Sequence, residues 1–432
     1  MRVLLVNDHS TPTGGAELQV LRLREALRGR GHDVRLLASD VAQVPGPVLA
    51  DATFRGSTAT SLGGRGQVAR RTVNPSAVTA VRRELREHRP DVVHLRMYLN
   101  QVSPAVLPLL RDVGVVSHVV TYKEVCPRGT KVLPDGSRCT FPAGRACVAH
   151  RCRTLQSLAA DLAQVAAVAR LARSSRPGVR PRGLGLVDRY VAPSSAVARR
   201  LAEAGEHRVD VVPNPVVERP DRPPLTGPPR VLVVGRLVAE KGVDVMLRAV
   251  ARLLAGDGAG GGGSGHGSTD AVAGLRVDVV GDGPERQTLE ALAADLGLGA
   301  VATFHGHLDR AAVEALADEA WVQAVPGLWE EPFGNVFAEA MVRGTALVAS
   351  GVGGPADLVT DGVDGLLVPP GDAGALAAAL RRVLVDRDEA ERLGAGGRVT
   401  VLRRCSEPTV LDRLEEVYER VLTTAAHTPP TR

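Results

Sequence analysis

Residues Val231–Leu247 read VLVVGRLVAEKGVDVML. Val231–Val234 is a continuous apolar run without polar alternation, the pattern of a strand buried on both faces. Gly235 breaks the run. Gly242 then precedes Val243–Leu254, where apolar residues recur at helical spacing. A buried strand leading through a short connection into a helix is half of a βαβ unit, the building block of parallel sheets. Arg236 and Lys241 lie in that connection, at the strand's carboxyl end, where ligands of such sheets bind. Two cations there suit a diphosphate. Structural salt bridging is the alternative use for them.

The same unit recurs along the chain. Strands are expected at Val3–Val6, Val34–Ala38, Val92–Leu95, Val115–Val120, Tyr190–Ala192 and Val209–Val212. A second set follows at Val231–Val234, Val277–Val280, Val301–Phe304, Trp321–Val325, Ala346–Ala349 and Gly365–Val368. Helical patterns lie between them at Ala16–Arg30, Ala77–His88, Val243–Leu254, Pro284–Leu296 and Ala373–Val385. Between the two sets, Pro213–Pro229 contains seven prolines and reads as a linker. The expected fold class is therefore α/β, with two doubly wound Rossmann-like domains facing a cleft. The expected divisions are an N-terminal domain 1–212, a linker 213–229, a C-terminal domain 230–407 and a crossover helix and tail 408–432. The last helix, Pro408–Thr423, is expected to return to the first domain. Two insertions read as mobile loops on composition, 41–75 and the glycine-rich Gly256–Ser268.

At 432 residues the chain is too long for one ordinary core, and 44% hydrophobic content can fill two. Aromatics are only 3%, so the cores are built of Val, Leu and Ala. The net charge of +5 hides a division. Residues 1–212 hold 32 Lys/Arg and 17 Asp/Glu, a balance of +15; the remainder hold 21 and 31, a balance of −10. A basic first half suits an anionic acceptor or an anionic membrane surface; a solvated Arg-rich face is the plain alternative. Nucleic acid is not expected, because aromatic platforms and known modules are missing. The opening MRVLLVND turns polar after Val6, so a secretory signal is not expected. Polar residues interrupt the longest apolar stretch, Leu155–Ala172. It reads as a buried helix, and as a membrane-surface helix in a minority reading helped by the Arg-rich run 170–182. The expected location is cytoplasmic, with peripheral membrane contact as an option.

A second informative stretch is Leu328–Gly344, LWEEPFGNVFAEAMVRG. Asn335 onward is helical by spacing, and Gly344 stops it. Glu331 then stands in the loop and Glu339 just over a turn into the helix. Two carboxylates beside a helix N-terminus suit a ligand with hydroxyls at two places and a phosphate between them, such as a nucleotide sugar. Helix-start carboxylates also occur for capping alone. In the first half, Gly14 and Gly15 precede the helix from Ala16 and let backbone N–H groups approach a phosphate or sugar. They do not form the dinucleotide fingerprint, and taken alone they are an ordinary glycine turn. VDVVGDGPE (277–285), FHGHLD (304–309) and VASGVGGPADLVTDGVDGLLVPPGD (348–372) complete the series.

With these motifs in this order the chain resembles glycosyltransferase family 4, over nearly its whole length. The resemblance implies the GT-B fold and transfer of a sugar with retention of configuration. It implies a nucleotide-diphosphate sugar as donor and a glycan, lipid-linked glycan or small molecule as acceptor. It places Gly15 against the donor diphosphate, Arg236 and Lys241 on that diphosphate, and Glu331 on the transferred sugar. Backbone amides of Phe333 and Gly334 would assist, Glu339 would hold the ribose, and the turn from Gly281 would shape the base pocket. No divalent metal is implied for catalysis.

The chain departs from the family pattern at Val120, where related members carry His in His-Asp-Tyr-Lys ahead of Cys-Pro; here the stretch is VTYKEVCP. His118, two residues earlier, shares a strand face with position 120 and either replaces that His or is a core-edge histidine. Pro215 and Gly327 also stand where Gly and Ser are usual. Cys126, Cys139, Cys147 and Cys152 fall in one Gly-, Pro- and Arg-rich insertion, 126–152. They suggest a structural metal site, zinc first, with His150 as a further ligand candidate. Two disulfides, an iron–sulfur cluster or free thiols are the alternatives. Other functions compatible with the sequence are a catalytically silent sugar-nucleotide or glycan binder and a nucleotide-sugar epimerase of the same fold.

Overall fold

A computed structural model gives the fold. It describes the chain apart from residues 13–14, 43–45, 58–71, 135, 153–160, 168–185, 257–271 and 427–432, and apart from the side chains of 424–426. Gly14, the Arg-rich run 170–182 and the glycine-rich insertion beyond Gly256 lie outside the described residues. Of the expected helix Leu155–Ala172, residues 161–167 are described and helical.

The chain begins β1 (Arg2–Val6), α1 (Gly15–Gly29), β2 (Asp33–Ser39), β3 (Ala52–Phe54), α2 (Pro75–Glu87), β4 (Val92–Leu95) and β5 (Gly114–His118). It continues with α3 (Arg145–Ala149), β6 (Arg189–Ala192), α4 (Ser195–Glu203), β7 (Val209–Val211), β8 (Arg230–Val234), α5 (Val243–Ala255) and β9 (Arg276–Val280). Next come α6 (Arg286–Asp295), β10 (Ala302–Gly306), α7 (Arg310–Glu319), β11 (Val322–Val325), α8 (Asn335–Arg343) and β12 (Ala346–Ser350). The last elements are α9 (Gly354–Leu358), β13 (Leu366–Val368), α10 (Ala373–Leu384), α11 (Arg387–Cys405) and α12 (Glu407–Ala426).

Two compact units result: Met1–Asn214 together with Glu407–Arg432, and Pro215–Ser406. The first holds a seven-stranded sheet in the order β3-β2-β1-β4-β5-β6-β7, and the second a six-stranded sheet in the order β10-β9-β8-β11-β12-β13. All their pairings are parallel. Each strand order reverses beside the strand that opens its unit, at β1/β4 and at β8/β11. Those switch points are where such sheets bind ligands.

The Val- and Leu-rich strands are buried on both faces, as their lack of alternation requires. Val3–Val6, Val92, Val93, Val231 and Leu232 are completely enclosed. Helix ends follow local chemistry. Asn74 caps α2 by accepting from the Ser76 and Ala77 N–H groups, with Pro75 in the first turn. Gly344 ends α8 in the left-handed region at φ 75°. Helix α12 belongs to the first unit. Its Leu411, Leu414, Val417, Tyr418 and Val421 pack with Val3, Leu5, Val92 and Val116. Each such buried side chain contributes roughly 1.5–3 kcal/mol.

Three differences from the sequence expectation have physical causes. Strand β5 ends at His118 rather than Val120, because Thr121 caps a short 3-10 turn, Tyr122–Glu124. Part of the expected mobile loop 41–75 is strand β3, paired with β2. Helix α11 adds to the helices named from sequence, although Gly394, Gly396 and Gly397 weaken its helical pattern. Packing explains those glycines: a Cβ at Gly394 would lie 2.0 Å from the Gly344 carbonyl oxygen. Among the described residues no helix is long and apolar enough to cross a membrane.

Candidate functional site

The loops after β8 and β11 meet at the switch point of the second unit. Gly242 makes this possible. It adopts φ +65°, and a Cβ there would lie 2.1 Å from the Pro326 carbonyl oxygen. The Leu328 N–H donates to the Glu240 carbonyl at 2.9 Å, tying the two loops together. Lys241, in the turn before α5, reaches across to Glu331 with Nζ 2.6 Å from Oε2. Trp329 Nε1–H donates to the same oxygen at 3.2 Å, and Lys241 Nζ stands 5.9 Å from the Trp329 ring centre. Arg236 is exposed, with no side-chain hydrogen bond or ion pair among the described residues.

Gly235, Arg236, Lys241, Glu331 and Gly334 line one cavity of about 30 Å³, room for roughly one water. Four of the residues singled out in sequence (Arg236, Lys241, Glu331 and Gly334) thus come together here. Glu339 stands on an exposed face of α8 outside the cavity lining. The Phe333 side chain is core, 5.5 Å from the Phe337 ring. Gly281 lies beneath the site: its N–H donates to the Gly306 carbonyl, and a Cβ would strike the Gly235 carbonyl oxygen at 1.9 Å.

Sequence reasoning missed what holds Glu331. The Gly354 N–H donates to the Glu331 carbonyl at 2.9 Å, and Gly353, at φ +67°, lies against the Glu331 backbone. The signal was present as the Gly-Gly-Pro of VGGPAD. The Lys241–Glu331 pair is partly exposed, at 27% and 21%, so its net worth is about 0–1 kcal/mol. A pair that weak can open for a stronger anionic ligand.

In the first unit Gly15 opens α1 and is exposed. His118 is enclosed. Its ring stacks on His94 at 5.3 Å between centres, and His94 Nδ1 lies 2.6 Å from the Tyr418 hydroxyl of α12. Burial holds His118 well below the usual imidazole range, with the charges of Arg96 and His94 adding to the effect. Burial and Arg96 pull His94 down to about 3. Neither ring nitrogen of His118 has a partner among the described residues. Of the two readings of His118, the geometry fits the core histidine. An open cavity of about 770 Å³ also lies in this unit, with mostly apolar walls including Val125, Leu162 and Val165. Glu124 lines it, and burial raises its carboxyl to about 8.

These groups give unfolding a defined pH dependence. A buried neutral His binds its proton only after unfolding, so its stabilising effect is complete above about pH 6.5 and fades below. Glu124 acts oppositely between about 4.5 and 8, because there the folded state holds the extra proton. Wild type carries both contributions, whereas His118→Leu removes one imidazole. Below about pH 6 its unfolding free energy should change with pH less steeply than wild type by about 1.4 kcal/mol per unit. Urea melts from pH 4.5 to 8 read this directly; parallel curves would contradict the neutral, buried assignment.

Cys126, Cys139 and Cys147 are buried, Cys152 is half-buried, and all are free. Burial pushes the Cys152 thiol up, and Cys147, Cys139 and Cys126 add to the effect. His150 stacks on Phe141 at 5.1 Å between ring centres. Among the described residues, no group of three or more His, Cys, Asp or Glu side chains is placed to hold a metal ion. Cys405 is separate, buried at the end of α11.

A family model described as Glycosyltransferase Family 4 matches residues 13–218, and one described as Glycosyl transferases group 1 matches residues 217–400. The lipopolysaccharide core biosynthesis glycosyltransferase LpsD of Rhizobium meliloti is 33% identical over 259 residues, 57% of this chain and 69% of that protein. A phosphatidyl-myo-inositol mannosyltransferase of Mycolicibacterium smegmatis is 28% identical over 431 residues, 98% of this chain and 94% of that protein. The Anabaena protein HepE in complex with UDP-glucose matches in structure with a TM-score of 0.64 at 19% identity, over 97% of this chain and 100% of that one. The chain belongs to glycosyltransferase family 4 and is a glycosyltransferase with the two parallel-sheet units of the GT-B fold.

Proposed function

We propose that this enzyme is a retaining glycosyltransferase that moves a sugar from a nucleoside-diphosphate sugar to a glycan or lipid-linked acceptor. The observation that carries the reading is the meeting of Arg236, Lys241, Glu331 and Gly334 around one cavity at a sheet switch point. The UDP-glucose in the HepE complex supports the same donor class. Arg236 and Lys241 bind the diphosphate and stabilise its charge as it leaves, which is the main demand of breaking a sugar–phosphate bond. Lys241 exchanges Glu331 for phosphate, and Glu331 turns to hydroxyls of the sugar. The acceptor hydroxyl attacks the anomeric carbon from the face the diphosphate leaves. The carbon–oxygen bond breaks with its electron pair going to phosphate, and the hydroxyl proton passes to that phosphate oxygen. Glu339 and the turn at Gly281 serve the nucleoside, and Gly15 adds backbone N–H to the phosphates. The apolar cavity beside Glu124 and the basic first half favour an acceptor with an apolar portion and negative charge.

A thermal-shift panel of UDP, GDP, ADP and TDP with their sugar conjugates tests the donor, since a ligand of the folded state raises its melting temperature. One base should stabilise the protein equally with Mg²⁺ and with EDTA; dependence on Mg²⁺ would contradict neutralisation by Arg236 and Lys241. NMR of the product then reads the anomeric configuration, and inversion would overturn the retaining step. The buried, neutral His118 favours one second reading, a silent sugar-nucleotide binder. Slow release of free sugar from the donor in water alone separates the enzyme from that binder.

A further inference from the structure

Glu331 meets two donors on one oxygen. Lys241 Nζ lies 2.6 Å from Oε2, and Trp329 Nε1–H donates to the same atom at 3.2 Å. Oε1 accepts no hydrogen bond among the described residues, and the side chain is partly open to solvent. One carboxylate oxygen is thus held and the other is offered. The two holders respond differently to an anion. Lys241 carries a full charge on a flexible four-carbon stem, and phosphate oxygens compete for it. The indole N–H is neutral and only donates, so a diphosphate has no charge there to draw away.

The loop fixes both ends of this contact. Leu328, next to Trp329, donates its N–H to the Glu240 carbonyl at 2.9 Å, and the Glu331 carbonyl accepts from the Gly354 N–H at 2.9 Å. Only Trp329 and Glu330 lie between those two anchors, and Glu330 is buried. The Trp329 ring is half-buried, with Lys241 Nζ 5.9 Å from its centre, within reach of a cation–π contact. The ring therefore stands beside both members of the ion pair, on a segment whose backbone cannot drift.

We propose that Trp329 is a positioning residue for Glu331. It keeps hold of Oε2 after Lys241 has left for phosphate, so that Oε1 is the atom presented to a hydroxyl of the transferred sugar. Without that N–H, the departure of Lys241 would leave the carboxylate free among its rotamers, and displacement of a substrate-positioning group by about 1 Å is costly in rate. A neutral donor holds one oxygen while leaving the charge of the carboxylate for the sugar. That a sugar meets Oε1 rests on the glycosyltransferase reading; the hold on Oε2 does not.

The indole N–H signals test the hold without any ligand. The chain has two tryptophans, so its nitrogen-15 spectrum carries two indole cross-peaks, and Trp329→Phe identifies the one from Trp329. Glu331→Ala should move that cross-peak. Arg236→Ala, which removes a side chain with no partner among the described residues, should leave it in place. A Trp329 signal indifferent to Glu331→Ala overturns the hold. Donor hydrolysis tests its use, with UDP-, GDP-, ADP- and TDP-glucose and the four free diphosphates as probes. Trp329→Phe should lower kcat for sugar release by about tenfold or more, the worth of one hydrogen bond to a charged group. Its diphosphate affinity should stay within about twofold of wild type, because Arg236 and Lys241 are untouched. Trp329→His is the rescue: imidazole Nε2 takes the place of indole Nε1 on a five-membered ring, and most of the rate should return. Equal losses in the Phe and His variants, or a diphosphate affinity that falls with the rate, would mean that the ring only packs, and would overturn the proposal. If the Phe variant does not fold, a His variant within about threefold of wild type supports the N–H, and a tenfold loss in it counts against it. Should no probe bind while the cross-peak still answers to Glu331→Ala, the donor reading fails and takes the role toward sugar with it, leaving the hold on Oε2 as a structural contact.

Discussion

Lys241→Ala is expected to lower kcat/KM for the sugar donor by about 10²–10³-fold, the usual loss when one preorganised charge or donor facing a leaving group is removed. The melting temperature should move by no more than about 2 °C, because the side chain is partly exposed and its ion pair is weak. Arg236→Ala should leave stability unchanged, since that side chain is exposed and has no partner among the described residues. The rival account is that Lys241 only neutralises Glu331. A double-mutant cycle separates the two. If neutralising Glu331 is the whole role, Glu331→Gln restores the activity lost in Lys241→Ala. If Lys241 acts on phosphate and Glu331 on sugar, each single change is damaging and the double change is worse than either. Restoration to within a few-fold of wild type would overturn the phosphate assignment.

The part of this site legible in sequence was the part carried by chemistry with local spacing. Val231–Val234 had to be a doubly buried strand, and Arg236 and Lys241 had to lie at its carboxyl end. Glu331 had to precede the helix that Gly344 stops. What could not be read depends on residues far apart in the chain. Tyr418 meets His94 across 324 positions, and no local pattern shows that His118 is thereby enclosed. The glycines of α11 weaken its helical pattern, and the reason for them lies far back in the chain, at the backbone of Gly344 for Gly394, of Val363 for Gly396 and of Asp364 for Gly397. The four cysteines fall close together in sequence, but whether thiols form a cage is set by angles and distances that spacing does not contain. Arg96 read as one cation among 32 in the first 212 residues, and only burial separates it from the others.

Gly354→Ala should be the most damaging single methyl in the second unit. Its Cβ would stand 1.7 Å from the Phe333 carbonyl oxygen and 2.6 Å from that carbonyl carbon. Both are backbone atoms, so no rotamer relieves the clash; α9 and the Pro332–Gly334 turn must part by more than an ångström. The hydrogen bond from the Gly354 N–H to the Glu331 carbonyl then lengthens, and Phe333, Phe337 and Leu358 lose packing in their shared cluster. Overpacking of about 1–3 kcal/mol and a lost hydrogen bond of about 1 kcal/mol give about 3 kcal/mol in all. For a unit of this size that is a fall of roughly 6–12 °C. Activity should drop about 100-fold, because the displaced segment carries Glu331, and a misplacement near 1 Å costs that much. Gly327→Ser is the matched control. The nearest atom to a Cβ there is the Glu240 carbonyl oxygen at 3.8 Å, an ordinary contact, so its melting temperature should match wild type. Should Gly354→Ala melt and turn over like Gly327→Ser, α9 would be free to yield, and the rigid hold on Glu331 would have to come from Lys241 and Trp329 instead.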